Sequence, residues 1–220
     1  MKLSKSWAAA AAMVALTGAA QAALLNRGGG MIYDTTRNIT WLSNMNTNGL
    51  MTWGAAGTWA NNLVHGGFDD WRLPTLNPSD TSCHAIFDPG GGFPLQYFGF
   101  NCTGGELSGL FVTDLGNKAN ESVLNQAGDT PEQIANLALF SNVQSSVYWS
   151  GTEYAPDPSL AWTFGTIDGF QGRIGAKSRV LYAVAVRPGD VVAPVPEPQT
   201  LALVLLALGV TVVARRRRPI

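Results

Sequence analysis

Phe68-Asp69-Asp70-Trp71-Arg72-Leu73-Pro74-Thr75 places two aromatic rings, three charges and a proline within eight residues. By composition this stretch reads as a turn leading into a short strand. Immediately before it the hydrophobic period is helical: Trp53, Ala56, Ala60, Leu63 and Val64 recur at helical spacing, Thr52 offers an N-cap, and Gly66 and Gly67 supply the stop. Two tryptophans, Trp53 and Trp59, fall in this helix; core packing and a glycan platform are both open to them, and the spacing favours the core. Further upstream, Gly28 to Gly30 form a flexible entry, and 31–33 and 39–42 read as two strands of a hairpin around a polar turn at 34–37.

Downstream, residues 76–104 are rich in Pro, Gly and Ser and read as one long loop, of the kind that is functional or inserted. A second helix is predicted over 106–115, with Leu107, Leu110 and Phe111 inward and Gly116 as its stop, and Thr130-Pro131 begins a third. The last third predicts strands at 147–150, 161–164 and 180–186. The intervening loops, 155–159 and 167–175, are expected at neighbouring strand ends. They supply Asp157, Asp168, Gln171 and Arg173 beside Tyr154, Trp162 and Phe170. Tyr154, Asp157, Trp162, Asp168 and Arg173 are the candidate ligand-binding residues, since polar groups next to aromatic faces can orient a sugar or a cation. Ordinary turn chemistry is the competing reading, because Asp-Pro and Asp-Gly are common turn pairs.

The opening stretch resembles the Asp-Trp-Arg-Leu-Pro-Thr signature of the DUF1566 family, also described through Lcl-type surface proteins. Further matches are Gly-Gly-Met-Ile-Tyr-Asp at 29–34 with Thr40, Trp41 and Leu42, the helix after Met51, the run Tyr148-Trp149-Ser150-Gly151-Thr152-Glu153-Tyr154, and the closing Ala185-Val186-Arg187-Pro188. What the resemblance implies is an α+β fold of the C-type-lectin-like kind, with short helices, small antiparallel sheets and long loops. A fold shared by analogy does not assign a function. The Glu-Pro-Asn and Gln-Pro-Asp sugar motifs of true C-type lectins are missing, which leaves calcium without support; no other cofactor and no metal site is expected.

Both ends of the chain carry address signals. Lys2 and Lys5 precede an apolar run, and Ala20, Gln21 and Ala22 give the small-x-small pattern of a signal peptidase site cut between Ala22 and Ala23. At the other end, 200–214 is fifteen residues without a charge, followed by Arg215, Arg216, Arg217 and Arg218. As a helix it would span roughly 22 Å against a hydrocarbon core of about 30 Å, a marginal crossing, and the arginines hold its end on the cytoplasmic side. A plain anchor is one reading. However, Pro196 and Pro198 impose an extended, exposed segment just outside the membrane. The order of Val-Pro-Glu-Pro at 195–198, a Leu- and Ala-rich run and an arginine cluster resembles the PEP-CTERM sorting signal of Gram-negative bacteria. That resemblance implies an exosortase as processing partner at Pro196, Glu197 and Pro198. It also implies only transient contact with the membrane through 200–214, and release or attachment at the cell surface or exopolysaccharide matrix. The expected layout is a signal peptide (1–22), one domain (23–189), a linker with the motif (190–199), a hydrophobic helix (200–214) and a basic cytoplasmic tail (215–220).

Without the two address segments, eight basic residues face fourteen acidic ones, a net charge near −6, so nothing holds nucleic acid. The two cysteines, Cys83 and Cys102, lie in the exported part, where oxidation is the default, and are expected to pair. Closing that loop would contribute on the order of 3 kcal/mol. A reactive or metal-binding pair is the alternative, against the absence of Cys-x-x-Cys spacing and of any basic neighbour nearer than His84. The chain has no Gly-x-Ser-x-Gly, His-Glu-x-x-His, phosphate-loop or EF-hand pattern, and only two histidines, His65 and His84. Adjacent Asp69 and Asp70 read as solvated turn charges before they read as a glycosidase pair. The expectation is therefore a non-enzymatic surface or matrix protein that binds a polysaccharide or a protein partner. The alternatives are an enzyme of the formylglycine-generating kind, which needs a free thiol, and a purely structural matrix component.

Overall fold

Asp34 is fully buried and accepts the backbone N–H groups of Thr36 and Arg37, at 3.0 and 2.9 Å, so the polar turn at 34–37 closes around its own carboxylate. With Asn38 in the left-handed region (φ 52°) completing the reversal, β2 (Met31–Asp34) pairs antiparallel with β3 (Ile39–Leu42), Ile32 opposite Trp41. The chain is described here by a computed structural model covering residues 24–172 and 175–191. The expected signal peptide and cut at Ala22 and Ala23, Arg173, the sorting motif, the 200–214 segment and the basic tail lie outside the described residues.

On either side of that hairpin lie β1 (Leu24–Gly28) and β10 (Val186–Pro188), giving the order β1-β2-β3-β10. A second sheet is built from β6 (Val147–Glu153), β7 (Leu160–Gly165) and β8 (Phe170–Gln171), with β9 (Gly175–Ala176) also on β7. All these pairings are antiparallel. Together with three short helices this is the expected mixture of small helices and antiparallel sheets. Among the described residues no helix is long and apolar enough to cross a membrane.

Four expectations are corrected. The first helix, α1 (Trp53–Asn61), is capped by Thr52 as expected but stops before Leu63, and Val64 is 72% exposed. Gly66 and Gly67, at φ 63° and 84°, instead turn a tight reversal in which His65 and Phe68 exchange backbone hydrogen bonds. The predicted second helix starts as α2 (Glu106–Ser108) and then widens into a π-helical segment, Gly109–Asp114, in which the Leu115 N–H reaches back to the Leu110 carbonyl. Leu107, Leu110 and Phe111 are fully buried nonetheless, and Gly116 ends the segment at φ 74°. Arg37 lies against Gly109, where a Cβ would stand 2.3 Å from its Nη2. Its Nη1 bridges Asp34 (2.6 Å) and Asp114 (2.5 Å), so the widened turn delivers Asp114 to a guanidinium fixed from the hairpin.

The segment 180–186 is not one strand. Leu181 pairs with Met51, Tyr182 bridges to Tyr148, Leu42 bonds to Ala185, and only Val186–Pro188 forms a ladder. Ala183, Val184 and Ala185 are buried because the segment threads between the sheets, so its apolar run reports burial and not a single pairing partner. Finally, the loop 76–104 contains a hairpin, β4 (Ala85–Phe87) with β5 (Gln96–Phe98), tied at its base by the Cys83–Cys102 disulfide. The third helix, α3 (Pro131–Leu137), begins where predicted, with Thr130 and Gln133 in a reciprocal capping box.

Candidate functional site

The stretch 68–75 becomes a seam between the two sheets. Its expected short strand is reduced to one bridge, Arg72 with Val186, made by two backbone hydrogen bonds of 2.8 Å. Pro74 then accepts from the Gly151 N–H, and the Leu76 N–H donates to the Thr152 hydroxyl, which joins the seam to β6. Trp71 and Leu73 point inward, into a core shared with Trp149, Ala56 and Ala60.

Two of the three charges of the seam, Asp70 and Arg72, are taken up in ion pairs. Asp70 accepts from Nε and Nη2 of Arg187 (2.7 and 3.0 Å), and that guanidinium lies 3.9 Å over the Phe68 ring. Asp70 is therefore not one half of a carboxylate pair with Asp69, and its hydrogen bond to Arg187 holds its pKa below the ordinary value. Arg72 makes a bidentate pair with Glu106 (2.7 and 2.6 Å), and Glu106 also accepts the Thr75 N–H at 2.8 Å. Burial pushes the Glu106 carboxyl upward, but the bonds from Arg72 and Thr75 outweigh it and leave its pKa lowered. The histidines are likewise engaged: His65 Nε2 meets the Gly29 carbonyl at 2.7 Å, and His84 Nδ1 accepts the Phe100 N–H.

Where this seam passes α1, a groove of about 280 Å³ opens. Trp53, Gly57 and Asn61 line it from one face of the helix, Arg72, Leu73 and Thr75 from the seam, and Gly151 from β6. Trp53 is fixed from two directions: its indole N–H donates to the Ser150 carbonyl at 2.8 Å, and Lys177 Nζ stands 4.0 Å over its ring while paired with Glu153. Asn61 and Thr75 are exposed. Gly57 has no heavy atom within 4 Å of the position a Cβ would take, so the absent side chain is what keeps the helix wall open. The groove thus offers a rigid indole, a clamped guanidinium, a carboxamide and a hydroxyl, the mixture of apolar face and convergent polar groups suited to a sugar ring.

The predicted ligand-binding set is not brought together. Asp157 precedes β7 and Asp168 follows it, so these two carboxylates sit at opposite ends of a six-residue strand, about 20 Å apart at 3.3–3.4 Å per residue; the later loop then runs back along β7, so that its far end at Gly175, and not Asp168, comes beside the 155–159 loop. Asp157 accepts from the Ser159 N–H and hydroxyl, and Asp168 from the Phe170 N–H, which is turn chemistry. Tyr154 and Trp162 do touch, with centroids 6.2 Å apart, but both are buried, at 8% and 1% exposure. Arg173 lies outside the described residues. Of the tryptophans weighed as a platform, Trp53 reaches the groove, and both it and Trp59 pack against the second core cluster.

Asp80, Cys83 and Cys102 are close enough to suggest a metal set, but the sulfurs are joined to each other and Asp80 accepts from the Ser82 N–H and hydroxyl and the Gly104 N–H. That cluster is a loop brace. A further polar pocket of about 380 Å³ surrounds Arg37 and Asp114, with Glu132, Gln133 and Asn136 of α3 on its other wall. Burial raises the Asp114 pKa against the opposing pull of Arg37.

Outside the described residues, 194–218 matches the family of the PEP-CTERM protein-sorting motif. No curated protein and no solved structure matches the chain. The motif implies export and exosortase-dependent sorting to the cell surface, with an exosortase as the processing partner.

Proposed function

We propose that the chain is an exported surface or exopolysaccharide-matrix protein whose domain is a non-enzymatic, adhesin-like binding module, taking a polysaccharide in the Trp53 groove. The observation that carries the address is the sorting motif at 194–218. A surface address puts the domain where a polysaccharide is within reach. Support for the binding step comes from the groove, where the Glu106 pair pre-sets Arg72 and the Ser150 bond pre-sets Trp53, which reduces the ordering that opposes association. The resemblance of the domain to lectin-like surface proteins points the same way and rests on the residues quoted above. A thiol-oxidising enzyme would need Cys83 or Cys102 free, and they are joined.

The test is a glycan array that includes the producer's own exopolysaccharide, probed with the processed protein and with its Trp53→Phe and Asn61→Ala variants. Saturable binding weakened by both substitutions is the expected result. Binding that ignores both substitutions, or none to any glycan, would remove the polysaccharide from the proposal.

A further inference from the structure

Separate from the groove, the disulfide-tied hairpin helps to enclose a hollow of about 200 Å³ walled by Phe87, Phe98, Trp162 and Phe170, with Gly172 beside them. The Phe87 and Phe98 rings stand edge to face at 85° with centroids 5.8 Å apart, and Phe170 tilts at 59° to Phe98 at 6.2 Å, so the rings pack against one another around the hollow. All three phenylalanines are half-buried, which leaves the hollow open to solvent, and Trp162 forms a buried wall. A Cβ on Gly172 would fall 2.9 Å from Phe98 Cβ and 3.0 Å from Trp162 Cζ3, so the hollow exists because that residue is glycine.

None of the described lining side chains carries a charge or an accepting oxygen. A hydroxyl-rich sugar seated there would leave its hydroxyls unpaired, at a cost of about 1–3 kcal/mol for each one buried. An ammonium bearing N–H groups would suffer similarly. A fully methylated ammonium has no N–H to satisfy, and its diffuse positive charge is attracted by aromatic faces. The domain that carries the hollow is negative overall, with six more acids than bases. Size agrees, since a cavity of about 150 Å³ accommodates a single six-membered ring and a trimethylammonium group is smaller.

We propose that this aromatic hollow is a binding site for a trimethylammonium group. The experiment is calorimetric titration of the processed protein with choline and with 3,3-dimethylbutanol, its uncharged isostere. Saturable choline binding, at least about tenfold tighter than the isostere, is expected. Phe87→Leu, which keeps apolar volume and removes one ring, should weaken choline about fivefold and leave the isostere nearly unchanged, while Val64→Ser on the surface changes neither. Co-sedimentation with phosphatidylcholine but not phosphatidylglycerol vesicles would place the group on a lipid headgroup; choline binding without sedimentation would make it a soluble ligand. Either supports the site. Equal affinity for choline and the isostere, or no choline binding by protein with an unchanged melting transition, overturns it. Neither failure bears on the groove, which shares no lining residue with the hollow.

Discussion

Replacing Gly57 with methionine should make the protein more stable and close the groove at the same time. Gly57 lies within α1, its backbone is not in the left-handed region, and a Cβ there meets nothing within 4 Å. Glycine in a helix interior costs about 0.8–1.0 kcal/mol relative to alanine, and methionine ranks close to alanine, so the exchange should gain about 0.7 kcal/mol. For a domain of this size, where about 1 kcal/mol moves the melting point by 2–4 °C, the expected rise is about 2 °C. The new thioether chain would project among Trp53, Asn61 and Arg72, which line the groove with Gly57. Urea denaturation and the glycan array, run on the same preparation, separate the two effects: stability up, binding lost. Most loss-of-function variants destabilise, so this combination has no trivial explanation. A loss of 1 kcal/mol or more would show that the space beside Gly57 is occupied. Undiminished glycan binding by a stabilised variant would show that the groove is not where the glycan sits.

Four further outcomes follow from the ion pairs and the disulfide. Glu106 has a folded-state pKa below its ordinary 4.5, so its contribution is full above that value and lost as pH falls through the lowered folded value; Glu106→Gln should be less stable than the parent at neutral pH and equal to it in acid, read from urea midpoints across pH. Asp114 has the opposite sign: its folded pKa is raised, so its protonation stabilises the native state and the benefit is lost as pH rises through the folded value, which makes Asp114→Asn flatten the acid limb of the same profile in the reverse direction. Arg37→Leu strands buried Asp34 and Asp114 and should cost about 3–5 kcal/mol at neutral pH, with part recovered on acidification. Removing both Cys83 and Cys102 should cost about 3 kcal/mol and increase amide exchange across 85–98 first, while leaving the groove residues protected.

Much of the scaffold was legible because it is written in local chemistry. Thr52 and Thr130 with Pro131 mark helix starts, the polar residues 34–37 mark a hairpin turn, and Leu107, Leu110 and Phe111 keep the inward face even after the helix widens. What failed depended on distant partners. Nothing local to 106–115 announces that Asp114 pairs with Arg37, 77 residues away, from a widened turn. The run 180–186 is apolar whether it joins one sheet or threads between two. The groove was missed because its openness comes from an absent side chain at Gly57 and from Gly151 of a remote strand, and an absence carries no signal in a sequence. Conversely, Asp157 and Asp168 looked like partners because their loops are close in sequence, yet a strand sends successive loops to opposite ends. The tail behaves differently: its address is written as a linear order of motif, apolar run and basic stop, so it is readable without tertiary structure.

The central claim is that 194–218 is a sorting signal that is cut, not a permanent anchor. The most direct measurement is intact-mass and C-terminal peptide mass spectrometry of the protein recovered from the surface of producing cells, with and without their exosortase. The mature protein should end near Pro196, Glu197 and Pro198, lack 200–220, and retain that segment in the membrane fraction of exosortase-deficient cells. Surface protein that still carries Arg215 to Arg218, or an identical cut without the exosortase, would contradict it.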